Sequence, residues 1–284
     1  MKVVILAGGL GTRLSEETYL RPKPMIEIGG MPILWHIMKS YSYHGFNDFI
    51  ICGGYKCEVI KEFFNQYFLY TSDVVFDFKN NRTDFLNSRT EDWKVTVVDT
   101  GANTMTGGRL KRVSHLLDDG EPFFFTYGDG LADVNFQDEL DFHHAHGGLA
   151  TIMAVVPPGR FGALDIANGR VTRFMEKPGG DRSGWINGGF FVLEKPAIDY
   201  ITGDHSPFEN GPLSKMAQEN KLHAYEHKGF WRPMDTLRDK SILNNLWDEG
   251  KAPWKVWRDE EHSKIVPNNT HVIEQRGVLG RREI

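Results

Sequence analysis

Two cysteines in 284 residues, Cys52 and Cys57, are too few to staple a fold, and their spacing does not make a zinc knuckle. They read as buried free thiols. An excess of positive charge is also missing. The chain has 33 Lys and Arg against 38 Asp and Glu, a formal charge of −5, so neither polyanionic nucleic acid nor an anionic membrane is attracted in bulk. Long apolar runs are absent as well. The opening Met1-Lys2-Val3-Val4-Ile5-Leu6 passes straight into glycines, too short a run for a signal peptide or a membrane span, and a cytoplasmic location is expected. No internal repeat is visible. What remains, 40% hydrophobic and 25% charged, is the composition of a folded globular protein with one large domain or two modest ones.

Apolar runs bounded by turn residues alternate with helix-period segments through the first half, the pattern of a parallel sheet covered by helices. The predicted strands are Lys2–Leu6, Asp48–Cys52, Lys94–Asp99, Phe123–Tyr127 and Ala150–Val156. Leu34, Ile37, Met38 and Tyr41 share one helical face, as do Val59, Ile60, Phe63, Phe64 and Tyr67. The texture then changes. Ala163–Ile166 and Val171–Glu176 flank a hairpin-like turn, Trp185–Leu193 is another strong strand, and short extended pieces at Leu222–His227 and Phe230–Pro233 precede a helix over Thr236–Trp247. The fold class is therefore α/β, with a central mixed, mostly parallel sheet flanked by helices. Residues 1–257 form the main domain. Within it 72–89, with Asn80-Asn81-Arg82 and Asn87-Ser88-Arg89 among aromatics, is an excursion suited to an oligomer interface; 258–284 is an appended tail of five acidic and five basic residues.

Leu6-Ala7-Gly8-Gly9-Leu10-Gly11-Thr12-Arg13-Leu14 follows the first strand directly. Glycines there let the backbone approach a ligand and turn its amides toward an anion such as phosphate. A dinucleotide fingerprint would need a third glycine near Arg13, and a P-loop a Gly-Lys-Ser/Thr ending; neither is present. Arg13 adds a fixed cationic fork, and Lys23 sits between Pro22 and Pro24, which restrict its backbone. Two cations beside such a loop point to polyphosphate, against the plainer alternative of a glycine turn with solvated basic residues.

Phe123-Phe124-Phe125-Thr126-Tyr127-Gly128-Asp129-Gly130 ends a buried strand in an acid between glycines, at the carboxyl edge where parallel sheets place ligands. Asp129 is a candidate magnesium ligand, since triphosphate and water can complete the octahedron around one or two carboxylates. Asp235 is the candidate partner, with capping of the helix that begins at Thr236-Leu237 as its competing role. Glu176-Lys177-Pro178 offers a cation to a monophosphate, or merely a surface lysine. Asn187-Gly188-Gly189 suits hydrogen bonding to a sugar, or a strand bend. Thr106-Gly107-Gly108-Arg109 could hold a base or phosphate before a helix. His143, His144 and His146 read as a partly solvated helix end rather than a metal site. The tryptophans read as core, with Trp231 alone given a place in the sugar-phosphate site.

Taken in this order, Leu6–Leu14, Lys23-Pro24-Met25, Tyr127-Gly128-Asp129-Gly130, Glu176-Lys177-Pro178 and Asn187-Gly188-Gly189 resemble the sugar-1-phosphate nucleotidylyltransferases, from Met1 to about Trp257. Within that family the likeness is strongest to the branch that joins CTP to α-D-glucose 1-phosphate. It runs through Gly9–Thr18, Lys23–Gly30, Thr106–Arg112, Pro157–Leu164 and Pro233–Lys240. The resemblance implies a Rossmann-like nucleotidyltransferase fold, CDP-glucose and pyrophosphate as products for deoxysugar and surface-polysaccharide synthesis, Mg2+ as cofactor, and a homo-oligomer. It also implies roles. Leu6, Ala7, Gly8, Gly9, Leu10, Gly11, Thr12, Arg13 and Lys23 belong to the nucleotide with Thr106, Arg109 and Gly128. Asp129 and Asp235 match the magnesium pair, while Lys177, Glu176, Asn187 and Gly188 match the sugar-phosphate site. Arg13, Lys23 and Asp129 carry catalysis. The alternatives are a thymidylyl- or uridylyltransferase with the same phosphate machinery, and a catalytically silent regulatory subunit.

Overall fold

The computed structural model describes residues 1–157, 163–167, 170–175 and 184–258. Seven strands make the central sheet: β1 (Lys2–Ala7), β2 (Asp48–Gly53), β3 (Lys94–Asp99), β4 (Phe123–Tyr127), β5 (Ala150–Val155), β6 (Ile186–Leu193) and β7 (Leu222–His227). Their order across the sheet is β7-β5-β6-β4-β1-β2-β3. Pairings β1–β2, β1–β4, β2–β3 and β5–β7 are parallel, whereas β6 runs antiparallel to both β4 and β5. The mixed, mostly parallel sheet expected from the sequence is thus formed, with β6 as its one reversed strand.

The strands' apolar runs follow from this position. Val3, Val4, Ile5, Phe124, Phe125 and Ile51 are inaccessible to solvent, as strands buried on both faces require. Among the described residues the longer helices are α1 (Ile33–Tyr43), α2 (Cys57–Asn65), α3 (Thr106–Val113), α4 (Phe136–His146) and α5 (Leu237–Asp248). The face expected from Val59 to Tyr67 is interrupted at Gln66, and a separate turn of helix covers Tyr67–Thr71. In α4, Asn135 caps the start by accepting from the Gln137 and Asp138 amides, and Gly147 ends it in the left-handed conformation. His143 is buried there against the Thr151 hydroxyl, while its neighbour His144 is exposed. Cys52 and Cys57 are both buried as thiols.

The chain divides into two compact units, Met1–Ile60 with Trp93–Trp257, and a second containing Lys61–Asp92. In the second, an antiparallel ribbon pairs Asp73–Asp77 with Arg82–Leu86, turning through Asn81 at a positive φ. The Tyr67 hydroxyl donates to Glu91, and the Arg89 amide donates to the Thr71 carbonyl. Among the described residues no helix is long and apolar enough to cross a membrane. The tail from 259 onward, together with Glu176 and Lys177, lies outside the described residues.

Candidate active site

From β1 the chain reaches β2 and β3 on one side and β4 on the other, so β1 and β4 border the point where the strand order reverses. Beyond their carboxyl ends lies a cavity of about 450 Å³. Its walls are Leu6 to Gly9, Gly11, Thr12, Lys23 and Pro24; Thr104, Met105, Thr106 and Arg109; Tyr127, Gly128 and Asp129; and Pro207 and Glu209. Of the residues Leu6 to Thr12 expected at a nucleotide, Leu10 is exposed and does not line the wall. Arg13 lies in the short 3-10 turn Thr12–Leu14 that follows the loop, and its side chain is outside the described part of the structure.

Of the loop's glycines, Gly8 is buried, and it is buried against Arg109. A Cβ on Gly8 would stand 2.1 Å from the Arg109 guanidinium, so any side chain there would displace it. That guanidinium is itself buried. It donates to the Gly8 carbonyl (3.0 Å), the Gly53 carbonyl (2.9 Å), the Ala102 carbonyl (3.2 Å) and the Thr100 hydroxyl (2.8 Å). The sequence offers Arg109 as a cation for a base or phosphate; the structure uses its hydrogen bonds to hold the backbone that forms the cavity wall. Burial lowers its pKa. Thr106 is engaged too, donating to Glu209 Oε2 (2.7 Å) and accepting from the Phe208 amide (2.8 Å).

A second cavity of about 210 Å³ adjoins the first, lined by Tyr127, Asp129, Gly130, Asn187, Gly188, Gly189, Phe190, Trp231, Pro233 and Asp235. Because β6 is reversed, its first residues, Asn187 and Gly188, arrive at the same sheet edge as the ends of β1 and β4. Gly189 has φ +82, a region that L residues avoid, and a Cβ on it would lie 2.7 Å from the Tyr127 ring. Trp231 donates its indole N–H to the Gly188 carbonyl at 2.7 Å, so its polar tip supports the frame while its ring faces the cavity. Tyr127 and Asp129 belong to both cavities.

The two acids are brought together by a small ribbon. Gly130–Ala132 pairs antiparallel with Trp231–Pro233, and the Met234 amide donates to the Asp129 carbonyl at 2.8 Å. Asp129 and Asp235 therefore flank the same end of that ribbon. Lys23 Nζ lies 2.6 Å from Asp129 Oδ2 and 2.7 Å from Asp235 Oδ1. Asp235 is not the helix cap. Thr236 takes that position in front of α5, in a capping box with Asp239. The capping role, the competing reading of Asp235, is thereby excluded.

Among the wall residues given no role by the sequence reading are Tyr127 and Glu209. Tyr127 donates to Glu209 Oε1 at 2.5 Å, and burial, then the charge of Glu209, push its pKa upward, so it stays a protonated donor. Glu209 begins the irregular segment Glu209–Leu213, which contains Gly211 at φ 113 and carries no periodic signal.

A family model described as nucleotidyl transferase matches residues 2–259. A glucose-1-phosphate cytidylyltransferase of Salmonella typhimurium is 61% identical over 257 residues, covering 90% of this chain and all of the relative. A mannose-1-phosphate guanyltransferase of Saccharomyces cerevisiae is 31% identical over 251 residues, covering 86% of this chain and 63% of the yeast protein. In fold, the chain is similar to a UDP-glucose pyrophosphorylase solved with UDP-glucose, with TM-score 0.63, 15% identity, and 88% and 98% of the two chains covered. Sheet, loop and sequence agree, and the chain belongs to the nucleotidyl transferase family.

Proposed function

We propose that the protein transfers the cytidylyl group of CTP to α-D-glucose 1-phosphate, forming CDP-glucose and releasing pyrophosphate. The observation that carries this is the pair of cavities meeting at Asp129, one walled by the glycine loop and the other by Asn187, Gly188 and Trp231. Two anionic substrates can be seated on either side of one acidic residue. The choice of cytosine and glucose rests on the 61% identity to the Salmonella typhimurium cytidylyltransferase.

The phosphate of a sugar 1-phosphate is already largely ionised at neutral pH, its second pKa being about 6, so no general base is needed. One of its oxygens attacks the α-phosphorus of CTP in line with the departing pyrophosphate. The residues supply position and charge. Amides of the Gly8–Thr12 loop face the triphosphate, and Lys23 at the wall of the nucleotide cavity opposes phosphate charge, with Arg13 following the loop. Asn187 and Gly188 hold the sugar, Trp231 closes that pocket, and Glu176 and Lys177 are assigned to the sugar phosphate. Thr106, Arg109 and Gly128 shape the nucleotide site.

Asp129 and Asp235 fit a divalent cation. Their carboxylates already converge on one cationic point, the Lys23 ammonium, and two hard oxygen donors are what Mg2+ takes from a protein when phosphates and water complete its shell. Bound there, Mg2+ would offset the repulsion of the two anions and the charge developing on the leaving pyrophosphate.

The enzyme is read as cytoplasmic and homo-oligomeric, with 1–257 as the catalytic domain, the 72–89 excursion as an interface and 258–284 as an appended tail. Turnover of each of CTP, UTP, dTTP and GTP with several sugar 1-phosphates, with and without Mg2+, tests the function. CTP with glucose 1-phosphate should exceed every other pair, and all turnover should vanish on chelation. Preference for dTTP or UTP would replace the base assignment, and pyrophosphate release from no pair would leave a silent regulatory subunit.

A further inference from the structure

The two cavities are joined by a continuous chain of hydrogen bonds as well as by a shared wall. It starts at Phe208, whose amide donates to Thr106, which donates to Glu209; the Tyr127 hydroxyl donates to the other oxygen of Glu209. On the sugar side, Asn187 Nδ2 donates to the Tyr127 oxygen at 3.3 Å, and the Gly189 amide donates to Asn187 Oδ1 at 2.7 Å.

Every bond in this chain has a determined direction. A backbone N–H can only donate and a carboxylate can only accept. Gly189 therefore requires the oxygen of the Asn187 amide, which turns the NH2 group toward Tyr127. Glu209 requires the Tyr127 proton, which leaves the phenol oxygen free to accept from Asn187. One N–H of Asn187 is used in this way, and the second remains.

We propose that Glu209 and Tyr127 are positioning residues for the sugar 1-phosphate. Glu209, on the wall of the nucleotide cavity, orients the Tyr127 hydroxyl, and the hydroxyl fixes the Asn187 amide so that its remaining N–H is offered to a sugar hydroxyl. This rests on the assignment of the Asn187 pocket to the sugar. It adds that the polarity of that pocket is set by a carboxylate in the other cavity.

Substitutions separate this from simple packing. Tyr127→Phe keeps the ring against Gly189 and removes only the hydroxyl. Glu209→Gln keeps the shape but introduces a donor. Thr106 donates to Oε2, and keeping that bond sets the new NH2 against the Tyr127 hydroxyl, whose proton then loses its acceptor and turns toward the Asn187 NH2. Losing one such hydrogen bond is worth about tenfold in affinity.

The experiment measures glucose 1-phosphate binding to the full chain by equilibrium titration, together with steady-state kinetics for CTP and glucose 1-phosphate. Tyr127→Phe and Glu209→Gln should each weaken glucose 1-phosphate binding and raise its KM about tenfold, with kcat and the KM for CTP within about twofold of the parent. Tyr127→Phe/Asn187→Ala should bind no more weakly than Asn187→Ala alone, because the relay acts only through that amide. Unchanged glucose 1-phosphate binding in Tyr127→Phe, or additive losses in the double variant, would overturn the proposal. A rise confined to the KM for CTP in Glu209→Gln would overturn it too, by placing Glu209 on the nucleotide. The titration needs no turnover, so a parent protein that binds glucose 1-phosphate but uses another nucleotide would refute the cytidylyl reading and leave the relay to be judged on its own.

Discussion

The Lys23 ammonium bridges an oxygen of Asp129 and an oxygen of Asp235, with Lys23 buried and both acids partly so. Two acids held this close repel each other unless a positive charge stands between them. Lys23→Ala should therefore lower the melting temperature of the ligand-free protein, and Mg2+ should raise it again. The Mg2+-induced shift in Lys23→Ala should exceed that of the parent, since a ligand that binds the folded state stabilises it by mass action. Equal shifts, read by calorimetry, would remove the acids from the metal site.

Asp129→Ala should reduce turnover much more than stability. Loss of one preorganised charge at a phosphoryl-transfer site costs on the order of 10²–10³ in rate. Asp129 is the more exposed of the two acids, so its replacement leaves little buried charge uncompensated. Near-normal Mg2+-dependent turnover of purified Asp129→Ala, with an unchanged melting profile, would refute its catalytic place.

Arg109 should behave in the opposite way. Its guanidinium satisfies the carbonyls of Gly8, Gly53 and Ala102 and the hydroxyl of Thr100. Arg109→Ala should leave these acceptors unpaired beside a void, at roughly 2–4 kcal/mol of stability. Arg109→Lys should recover only part, because an ammonium cannot reproduce the fork. Denaturant unfolding gives the number; a variant as stable as the parent would make Arg109 a ligand group rather than a clamp.

These residues also show what the sequence could carry. Asp129 is legible because a strand ends there in an acid between glycines, a local pattern. The competing roles of Asp235 are equally plausible locally, and only the capping box at Thr236 and the ribbon from Gly130 to Pro233 separate them. Arg109 reads as a cation for a base or phosphate, and its backbone-holding bonds are not visible there because their acceptors, Gly8 and Gly53 among them, come from distant elements. Glu209 is silent, since its partners Thr106 and Tyr127 lie on distant elements and its own segment has no period. The parallel core is legible from its apolar runs. That Asn187 enters at the same edge depends on β6 running backward, a matter of topology rather than composition.

Glu139 supplies a pH dependence unrelated to the active site. It is fully buried in α4, neither carboxyl oxygen has a hydrogen-bond partner among the described residues, and burial pushes its pKa from 4.5 up to about 8. Between those values the folded state holds a proton that the unfolded chain releases, so stability should fall as pH rises through that window. Glu139→Gln should flatten this slope and exceed the parent above pH 8, by on the order of a few kcal/mol. Urea midpoints that keep the parent's slope in the variant would assign it to other groups.

The ribbon Asp73–Asp77/Arg82–Leu86 carries the last prediction. Val75, Phe76 and Phe78 on it are exposed, as are Phe68, Leu69 and Tyr70 on the preceding helical turn, and Phe78 is 91% accessible. Scattered exposed apolar residues are ordinary, but this many large ones in one short segment are what an interaction surface would present. A second copy of the chain is the occupant expected from the sequence reading, and burying several aromatics would stabilise such an assembly. Phe76→Asp/Phe78→Asp should therefore lower the mass seen by light scattering during size separation. The intrinsic turnover of the remaining fold should persist, because neither residue lines either cavity. A parent chain that elutes as a monomer, or a double variant with the parent's mass, would assign this surface to something other than self-association.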